Sequence, residues 1–136
     1  MAKKTERQKL VEKLDDVFQM CVRYRDNFKC ITCGKQYPRG ERTELHAGHY
    51  FSRGNYSTRW DEENVNAQCK SCNGKQNWGD AWTWHRYETE LKLKYGDDVI
   101  DRLHAKKNQV FKYNKGWMID QIAFYTEALK KYKENS

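Results

Sequence analysis

Four cysteines of this chain form two Cys-x-x-Cys pairs, Cys30 with Cys33 and Cys69 with Cys72. A Cys-x-x-Cys turn presents two thiolates at a separation that suits zinc, and two such turns complete a tetrahedral site. A shell of four thiolates leaves no open position for water, so the predicted zinc is structural. Disulfide bonds are the alternative, and they are disfavoured because the sequence lacks secretory features.

The segment between the two pairs is longer than the roughly 15–20 residues of common zinc-binding patterns, which indicates an inserted function. It contains His46 and His49, three residues apart. A lone histidine usually only completes a hydrogen-bond network, whereas two between metal-binding turns are candidates for a base and a metal ligand. In a regular strand they would point to opposite faces. We therefore expect a bend at Gly48 if both serve one site.

The order Cys-x-x-Cys, Ala-Gly-His-Tyr, Glu-Asn, Cys-x-x-Cys-Asn, Lys resembles that of HNH nucleases. More closely, it resembles the NinG/Rap recombination proteins of lambda-like phages, from about Cys30 through the helix after Asn73 and more weakly to the C-terminus. The resemblance implies a zinc-stapled ββα-metal (HNH) core flanked by N-terminal and C-terminal helices. It also implies a metal-dependent endonuclease that hydrolyses phosphodiester bonds in DNA.

The resemblance assigns roles to three residues. His49 matches the general base, which takes a proton from the water that attacks phosphorus, and imidazole suits this task because its pKa lies near neutrality. Asn64 matches the central asparagine, which secures the loop and helps to orient the histidine. Asn73 matches a ligand of the catalytic divalent metal, Mg²⁺ or Mn²⁺, at the start of a helix.

The position before the base departs from the family pattern. Many HNH proteins have an aspartate or histidine ligand there, and this chain has Gly48. His46 is the nearest replacement and Asp61 a weaker one, and the sequence leaves the choice open. Because magnesium prefers oxygen ligands, an imidazole together with an asparagine would favour manganese or a softer ion.

The charge of the chain favours a polyanionic partner. The net charge is +7, from 26 Lys and Arg against 19 Asp and Glu. This favours binding of DNA over the alternative of a merely soluble basic protein. The cations nearest the motifs are expected to contact DNA phosphates: Arg53, Arg59 and Lys75. Arg59 is the first choice, because the relatives keep a basic–aromatic pair where this chain has Arg59-Trp60.

Three tryptophans follow the second cysteine pair closely: Trp78, Trp82 and Trp84. The usual role of such a residue is packing in the core. An exposed member could instead wedge into a DNA junction, as apolar side chains do at base steps.

A chain of 136 residues predicts one α+β domain, residues 1–136. Residues 1–27 hold an N-terminal helix over roughly Thr5–Tyr24, indicated by apolar residues at helical spacing. Residues 28–95 hold the zinc-bound core, in which turns and short strands precede a helix that Gly96 closes. Residues 96–136 hold two further helices, the first of them capped by Asp97. The segment 54–57 is the most loop-like part, and the fifth cysteine, Cys21, is expected to be buried.

The sequence thus predicts an HNH-type endonuclease, and the resemblance points to phage recombination on branched DNA such as D-loops and Holliday junctions. A non-catalytic zinc-stapled DNA-binding module or a recombination accessory protein is the alternative. No signal peptide and no apolar run near the ~20 residues of a membrane span is visible, so we expect a cytoplasmic protein, in the host cell if phage-encoded. A homodimer would suit a four-way junction, although no heptad pattern indicates one.

Overall fold

The computed structural model describes residues 2–40 and 44–135. The elements follow in the order α1 (Glu6–Arg25), β1 (Leu45–His49), α2 (Tyr56–Arg59), β2 (Val65–Cys69), α3 (Lys70–Asn77), α4 (Ala81–Tyr95), α5 (Val99–Lys107) and α6 (Lys115–Glu134). Helices therefore surround a small two-stranded sheet, and the predicted α+β class is confirmed.

Helix α1 begins at a capping box. The Thr5 hydroxyl accepts a hydrogen bond from the Gln8 N–H at 3.1 Å, and Gln8 Oε1 accepts one from the Thr5 N–H at 2.8 Å. The helix packs beside α6, from the opposite end of the chain, and the two share an apolar cluster that also covers the start of β2: Leu14, Phe18, Val22, Val65, Met118, Ile122 and Tyr125. Cys21 is buried in the same cluster, as predicted.

The sheet is antiparallel, with Leu45 opposite Cys69 and His49 opposite Val65. Every residue of β2 is buried, because α1 covers one face of the sheet and α3 the other. β2 continues directly into α3, since Cys69 ends the strand and also caps the helix, its sulfur accepting from the Cys72 N–H at 3.4 Å. This junction fixes where Asn73 lies relative to β1.

Two local predictions were wrong. The segment 54–57 is not simply a loop, because α2 begins at Tyr56. The Tyr56 ring stacks on Tyr113 with centroids 4.1 Å apart, a contact with a distant part of the chain. The N-cap residue of helix α5 is Asp98 and not Asp97, and its side chain makes no capping hydrogen bond.

The remaining helices agree with the periodicity of the sequence. Helix α4 ends at Gly96, whose φ of 102° lies in the region that favours glycine. Leu91 of α4 packs with Val99 and Leu103 of α5 in a separate apolar cluster. Within the described residues, no helix combines the length and the apolar character that crossing a membrane requires.

Candidate metal and active site

The four paired cysteines come together at one end of the sheet. Their sulfur atoms all lie within 4.8 Å of one another, and Cys33 Sγ is 3.9 Å from Cys69 Sγ. This distance is far from the ~2.0 Å of a disulfide bond. It is close to the roughly 3.8 Å between sulfurs of a tetrahedral site with Zn–S bonds near 2.3 Å. All five cysteines are free, and this group of four could bind a structural zinc ion.

Backbone N–H groups donate hydrogen bonds to the sulfurs of Cys30 and Cys69. Cys30 Sγ accepts from the Cys33 N–H at 3.4 Å and from the Cys69 N–H at 3.3 Å. Burial alone would raise the pKa of Cys69, but hydrogen bonds from Cys72 and the neighbouring thiols lower it to about 7. Because zinc binds thiolates, this environment favours the ligand form of Cys69.

We expect each chain to bind one zinc ion and to need it for folding. Changing Cys72, which is buried in the cluster, to serine should abolish zinc retention and lower stability by at least ~3 kcal/mol, or roughly 10 °C in melting temperature. Metal analysis and thermal unfolding with and without a chelator measure both effects. Cys21→Ser is the matched control, since Cys21 is buried but does not belong to the four-cysteine metal site. A melting temperature that neither the chelator nor Cys72→Ser changes would contradict the structural role.

A cavity of about 750 Å³ lies beside β1, and it collects most of the predicted catalytic residues. Its lining includes residues of α1, β1, the following loop and α3, among them Arg23, His46, His49, Arg53 and Asn73. The expected bend at Gly48 is absent, because β1 keeps regular pairing from Leu45 to His49. Since the lining comes from helices on both faces of the sheet, the cavity follows the unpaired edge of β1. Both histidines reach it from opposite faces.

His49 is held in one orientation by the backbone. Its Nε2 lies 2.9 Å from the Arg59 carbonyl oxygen. A carbonyl can only accept a hydrogen bond, so Nε2 carries the proton and Nδ1 is free to accept one. Burial lowers the pKa of His49 to about 4, and the charge of Arg53 contributes in the same direction. The imidazole is therefore neutral at pH 7, which is the state that a general base requires.

Asn64 fixes the segment 51–58, which leads directly to the Arg59 carbonyl group. The side chain is fully buried. Its Oδ1 accepts from the Phe51 N–H at 2.9 Å, and its amide group donates to the carbonyl oxygens of Phe51 and Thr58, both at 3.0 Å. Asn64 thus ties both ends of the segment 51–58 to the start of β2. It lies outside the cavity lining and acts as a positioning residue for His49.

His46 and Asn73 meet at the cavity wall. His46 Nδ1 lies 3.3 Å from Asn73 Nδ2, so Asn73 donates to a neutral imidazole in this arrangement. Burial, Arg23 and Lys70 lower the pKa of His46. Rotation of the Asn73 amide would present its oxygen at the same place, and an imidazole nitrogen with an amide oxygen is a set of donors that fits a divalent ion. Asp61 lies outside this cavity, with its carboxylate 2.6 Å from Lys106 Nζ.

Gly48 cannot be replaced by the ligand that many HNH proteins have at this position. A Cβ atom there would lie 2.1 Å from Gln68 Oε1. Gln68 is itself held in place, since its Nε2 donates to Thr32 Oγ1 and to Gln76 Oε1, both at 2.9 Å. Gln76 Nε2 in turn donates to the His49 carbonyl oxygen at 3.0 Å. A buried chain of polar side chains therefore connects the first cysteine pair with His49.

The three cations predicted to contact DNA occupy different environments. Arg53 lines the cavity, and its side chain is about half exposed, at 55%. Arg59 is buried and donates through Nε to Asp15 Oδ1 at 3.0 Å, an arrangement that favours a structural role over a phosphate contact. Lys75 is exposed on α3 and lies outside this cavity, against a second groove. Their contacts with DNA remain predictions.

Asp15 holds the loop after β1 against α1. Its buried carboxylate accepts from Arg59 Nε at 3.0 Å, from the Trp60 indole at 2.9 Å and from Arg53 at 2.8 Å. Burial alone would raise the pKa of Asp15, but the hydrogen bonds and charges of Arg59 and Arg53 lower it. Because the carbonyl group of Arg59 orients His49, Asp15 acts on the histidine through Arg59.

Arg23, which lines the cavity from α1, was not among the predicted site residues. Its Nε is buried and has no hydrogen-bond partner among the described residues. Burial lowers the pKa of its guanidinium group, and the charge of Asp16 opposes this only in part. In the sequence, Arg23 is one of many cations on an amphipathic helix, and only the packing shows that it faces His46 and Asn73.

Changing Asp15 to asparagine should leave the buried Arg59 guanidinium without its counter-charge. We expect the free energy of unfolding to fall by about 3–5 kcal/mol, the usual effect of removing one partner of a buried ion pair. Urea unfolding measures it. Asp16→Asn, at the exposed neighbouring position, is the matched control and should change stability by less than about 0.5 kcal/mol. Equal effects of the two substitutions would show that the carboxylate of Asp15 is not an anchor.

The low pKa of His49 makes stability depend on pH. Folding lowers this pKa from 6.5 to about 4, so between these values the unfolded chain binds more protons than the folded one. The free energy of unfolding should therefore fall as the pH is lowered through this window. His49→Gln should flatten the slope, whereas His85→Gln, at an exposed position, is the control. Urea titrations across the window test this, and identical slopes for wild type and His49→Gln would contradict it.

Comparison with known proteins was made against families, curated proteins and solved structures. A family model described as "Bacteriophage Lambda NinG protein" matches residues 1–135. No match was found among curated proteins or among solved structures.

Proposed function

Because the chain belongs to the family of the bacteriophage lambda NinG protein, we propose that it is a metal-dependent DNA endonuclease of phage recombination. In this proposal β1, β2 and α3 form an HNH core. One observation carries it: a partly buried, neutral His49, oriented through Nε2 by the Arg59 carbonyl group, lines the same cavity as His46 and Asn73. This arrangement is what hydrolysis of a phosphodiester by activated water requires.

His49 is the general base of the proposed reaction. Nδ1 takes a proton from water as the water attacks phosphorus, while Nε2 keeps its hydrogen bond to the Arg59 carbonyl group. A pKa of about 4 makes a weak base in the free protein. A DNA phosphate entering the cavity would bring negative charge close to the ring and raise this pKa toward the working pH. The base therefore becomes effective when the substrate is bound.

His46 and Asn73 would hold the catalytic divalent cation. When bound, the cation supplies charge stabilisation to the scissile phosphate and the leaving 3′ oxygen. The donor set of an imidazole nitrogen and an amide oxygen favours Mn²⁺ over Mg²⁺, which prefers oxygen ligands alone. Gly48 adds no ligand, so the remaining positions would be left to water and phosphate oxygens.

Arg23 and Arg53 are the proposed phosphate-binding groups of the cavity. Guanidinium groups bind phosphate oxygens through two parallel hydrogen bonds. Arg23 is suited to this because its buried Nε has no partner among the described residues. Arg53 forms a salt bridge of 2.8 Å with Asp15, and this contact holds it at the cavity rim. A net charge of +7 supports DNA as the partner.

The second candidate is a DNA-binding protein without catalytic activity, stapled by the four-cysteine site. The same basic charge and the same zinc site support it. The two proposals differ in what they require of His49. Binding alone needs neither a neutral imidazole nor a divalent ion, whereas hydrolysis needs both.

The test is cleavage of labelled linear, forked and four-way DNA with Mn²⁺, Mg²⁺ or EDTA. We expect zinc-loaded wild type to cut with added Mn²⁺ or Mg²⁺ and not without added metal, and a loss of cleavage in EDTA is compared with the melting temperature under the same conditions. His49→Ala should lower the cleavage rate by about 10²–10⁴-fold, the usual contribution of a general base, with DNA affinity and melting temperature close to wild type. His85→Ala is the control, because His85 is exposed on α4. Cleavage that survives both EDTA and His49→Ala would refute the mechanism, and DNA binding without any cleavage would favour the second candidate.

A further inference from the structure

A second groove, of about 790 Å³, lies against α3. It is lined by Tyr37 together with residues of α3 and its C-terminal end: Lys70, Ser71, Gly74, Lys75, Trp78, Gly79 and Asp80. We refer to it as the Trp78 groove. On α3, Asn73 lines the His49 cavity and the next residue, Gly74, lines the Trp78 groove. The two sites therefore occupy adjacent faces of one helix.

Trp78 presents its indole ring to solvent, with 91% of the residue exposed. Within residues 2–40 and 44–135, no ring contact or hydrogen bond involves this indole. Trp84 behaves differently, since its ring packs against Tyr50 with centroids 5.3 Å apart and its Nε1 donates to the Gln76 carbonyl group at 3.1 Å. Trp84 thus has the packing role that is usual for tryptophan. An almost fully exposed indole beside a groove is typical of a binding surface.

The floor of the Trp78 groove is open. A Cβ atom placed on Gly74 or on Gly79 would meet nothing within 4 Å. Gly79 has a φ of +83°, a conformation that other residues rarely adopt. The two glycines therefore leave room beside the Trp78 ring for a flat ligand.

The charge of the Trp78 groove is positive. Lys70 and Lys75 line it, and in the described part of the chain neither forms a salt bridge. Lys35 extends the basic surface, with its ammonium group 5.1 Å from the centre of the Tyr37 ring. Asp80 adds one negative charge to the lining, and its carboxylate also accepts from the Thr83 N–H at 3.0 Å as the cap of α4, so the two lysines leave a net positive charge. Aromatic rings next to unpaired lysines are the combination that binds single-stranded nucleic acid.

We propose that the Trp78 groove binds an unpaired nucleobase of branched DNA. The base stacks on the indole of Trp78, while Lys70 and Lys75 contact the flanking phosphates. The inference rests on the proposed DNA function and deepens it, because it names the substrate feature that is recognised. In fully paired duplex DNA every base is stacked inside the helix, so the groove selects forks and other branch points that expose an unpaired base. Since α3 also carries Asn73, a bound branch point would lie next to the cleavage site.

A second copy of this chain is a poorer occupant. Two-fold packing of one Trp78 groove on another would bring Lys70 and Lys75 of both copies together, and like charges at an interface repel. DNA instead supplies the opposite charge together with a flat ring.

The experiment measures binding by the zinc-loaded protein without added Mn²⁺ or Mg²⁺, so that no cleavage occurs. The probes are a forked DNA with 2-aminopurine at the branch and a linear duplex of the same sequence. We expect wild type to quench the 2-aminopurine fluorescence and to bind the fork about tenfold more tightly than the duplex, within the usual contribution of stacking on one base. Trp78→Ala should abolish the quenching and the preference, leaving duplex affinity and melting temperature unchanged. Trp82→Ala is the matched control, because Trp82 is 61% exposed but lies outside the groove lining.

Three results would overturn the inference. The first is a wild type without quenching or preference for the fork, and the second is a Trp78→Ala variant that keeps both. The third is a wild-type dimer in sedimentation equilibrium that Trp78→Ala converts to a monomer, which would make the groove a self-association surface. Failure of the proposed nuclease would look different, as absent cleavage with metal while the quenching at the fork persists.

Discussion

The carboxylate of Asp15 is the contact on which the geometry of the His49 cavity depends. It receives the guanidinium groups of Arg59 and Arg53 and the indole N–H of Trp60, and in this way it fastens the loop between the two strands to α1. A buried carboxylate is unfavourable unless its hydrogen-bonding capacity is used. Here three side chains donate four hydrogen bonds to it. The Arg59 carbonyl group is thereby fixed, and with it the orientation of His49.

A second polar network reaches His49 from the opposite face of the sheet. Thr32, between the first two cysteines, accepts from Gln68, which also donates to Gln76, and Gln76 donates to the His49 carbonyl group. Gln68 occupies the space in which a side chain at position 48 would lie. The glycine before His49 is therefore a packing requirement. A metal bound by the cysteines would stabilise this network, because Thr32 lies within the first metal-binding turn.

Positive charge that is only partly compensated surrounds the cavity. Arg23 has a buried nitrogen without a hydrogen-bond partner in residues 2–40 and 44–135. Arg53 lowers the pKa of His49, and Arg23 lowers that of His46. Burial is the main reason that the pKa values of both imidazoles are lowered, and these charges act in the same direction. A phosphate group would relieve the unfavourable burial of the guanidinium group and raise the pKa of the base at the same time. In the proposed nuclease, phosphate binding and activation of His49 would therefore depend on the same positive charges.

The sequence by itself determined the cysteine cluster, the α+β class and the approximate positions of the long helices, because regular spacing reports local geometry: thiolates in Cys-x-x-Cys turns, a 3.6-residue period, and glycine after the last turn. It also brought His46, His49 and Asn73 into one hypothesis. Only the tertiary structure decided which cations face the cavity. Arg59 is paired with a carboxylate 44 residues away in sequence, whereas Arg23, one charge among many on α1, lies beside His46. Such choices depend on contacts between distant segments, and no local pattern encodes them.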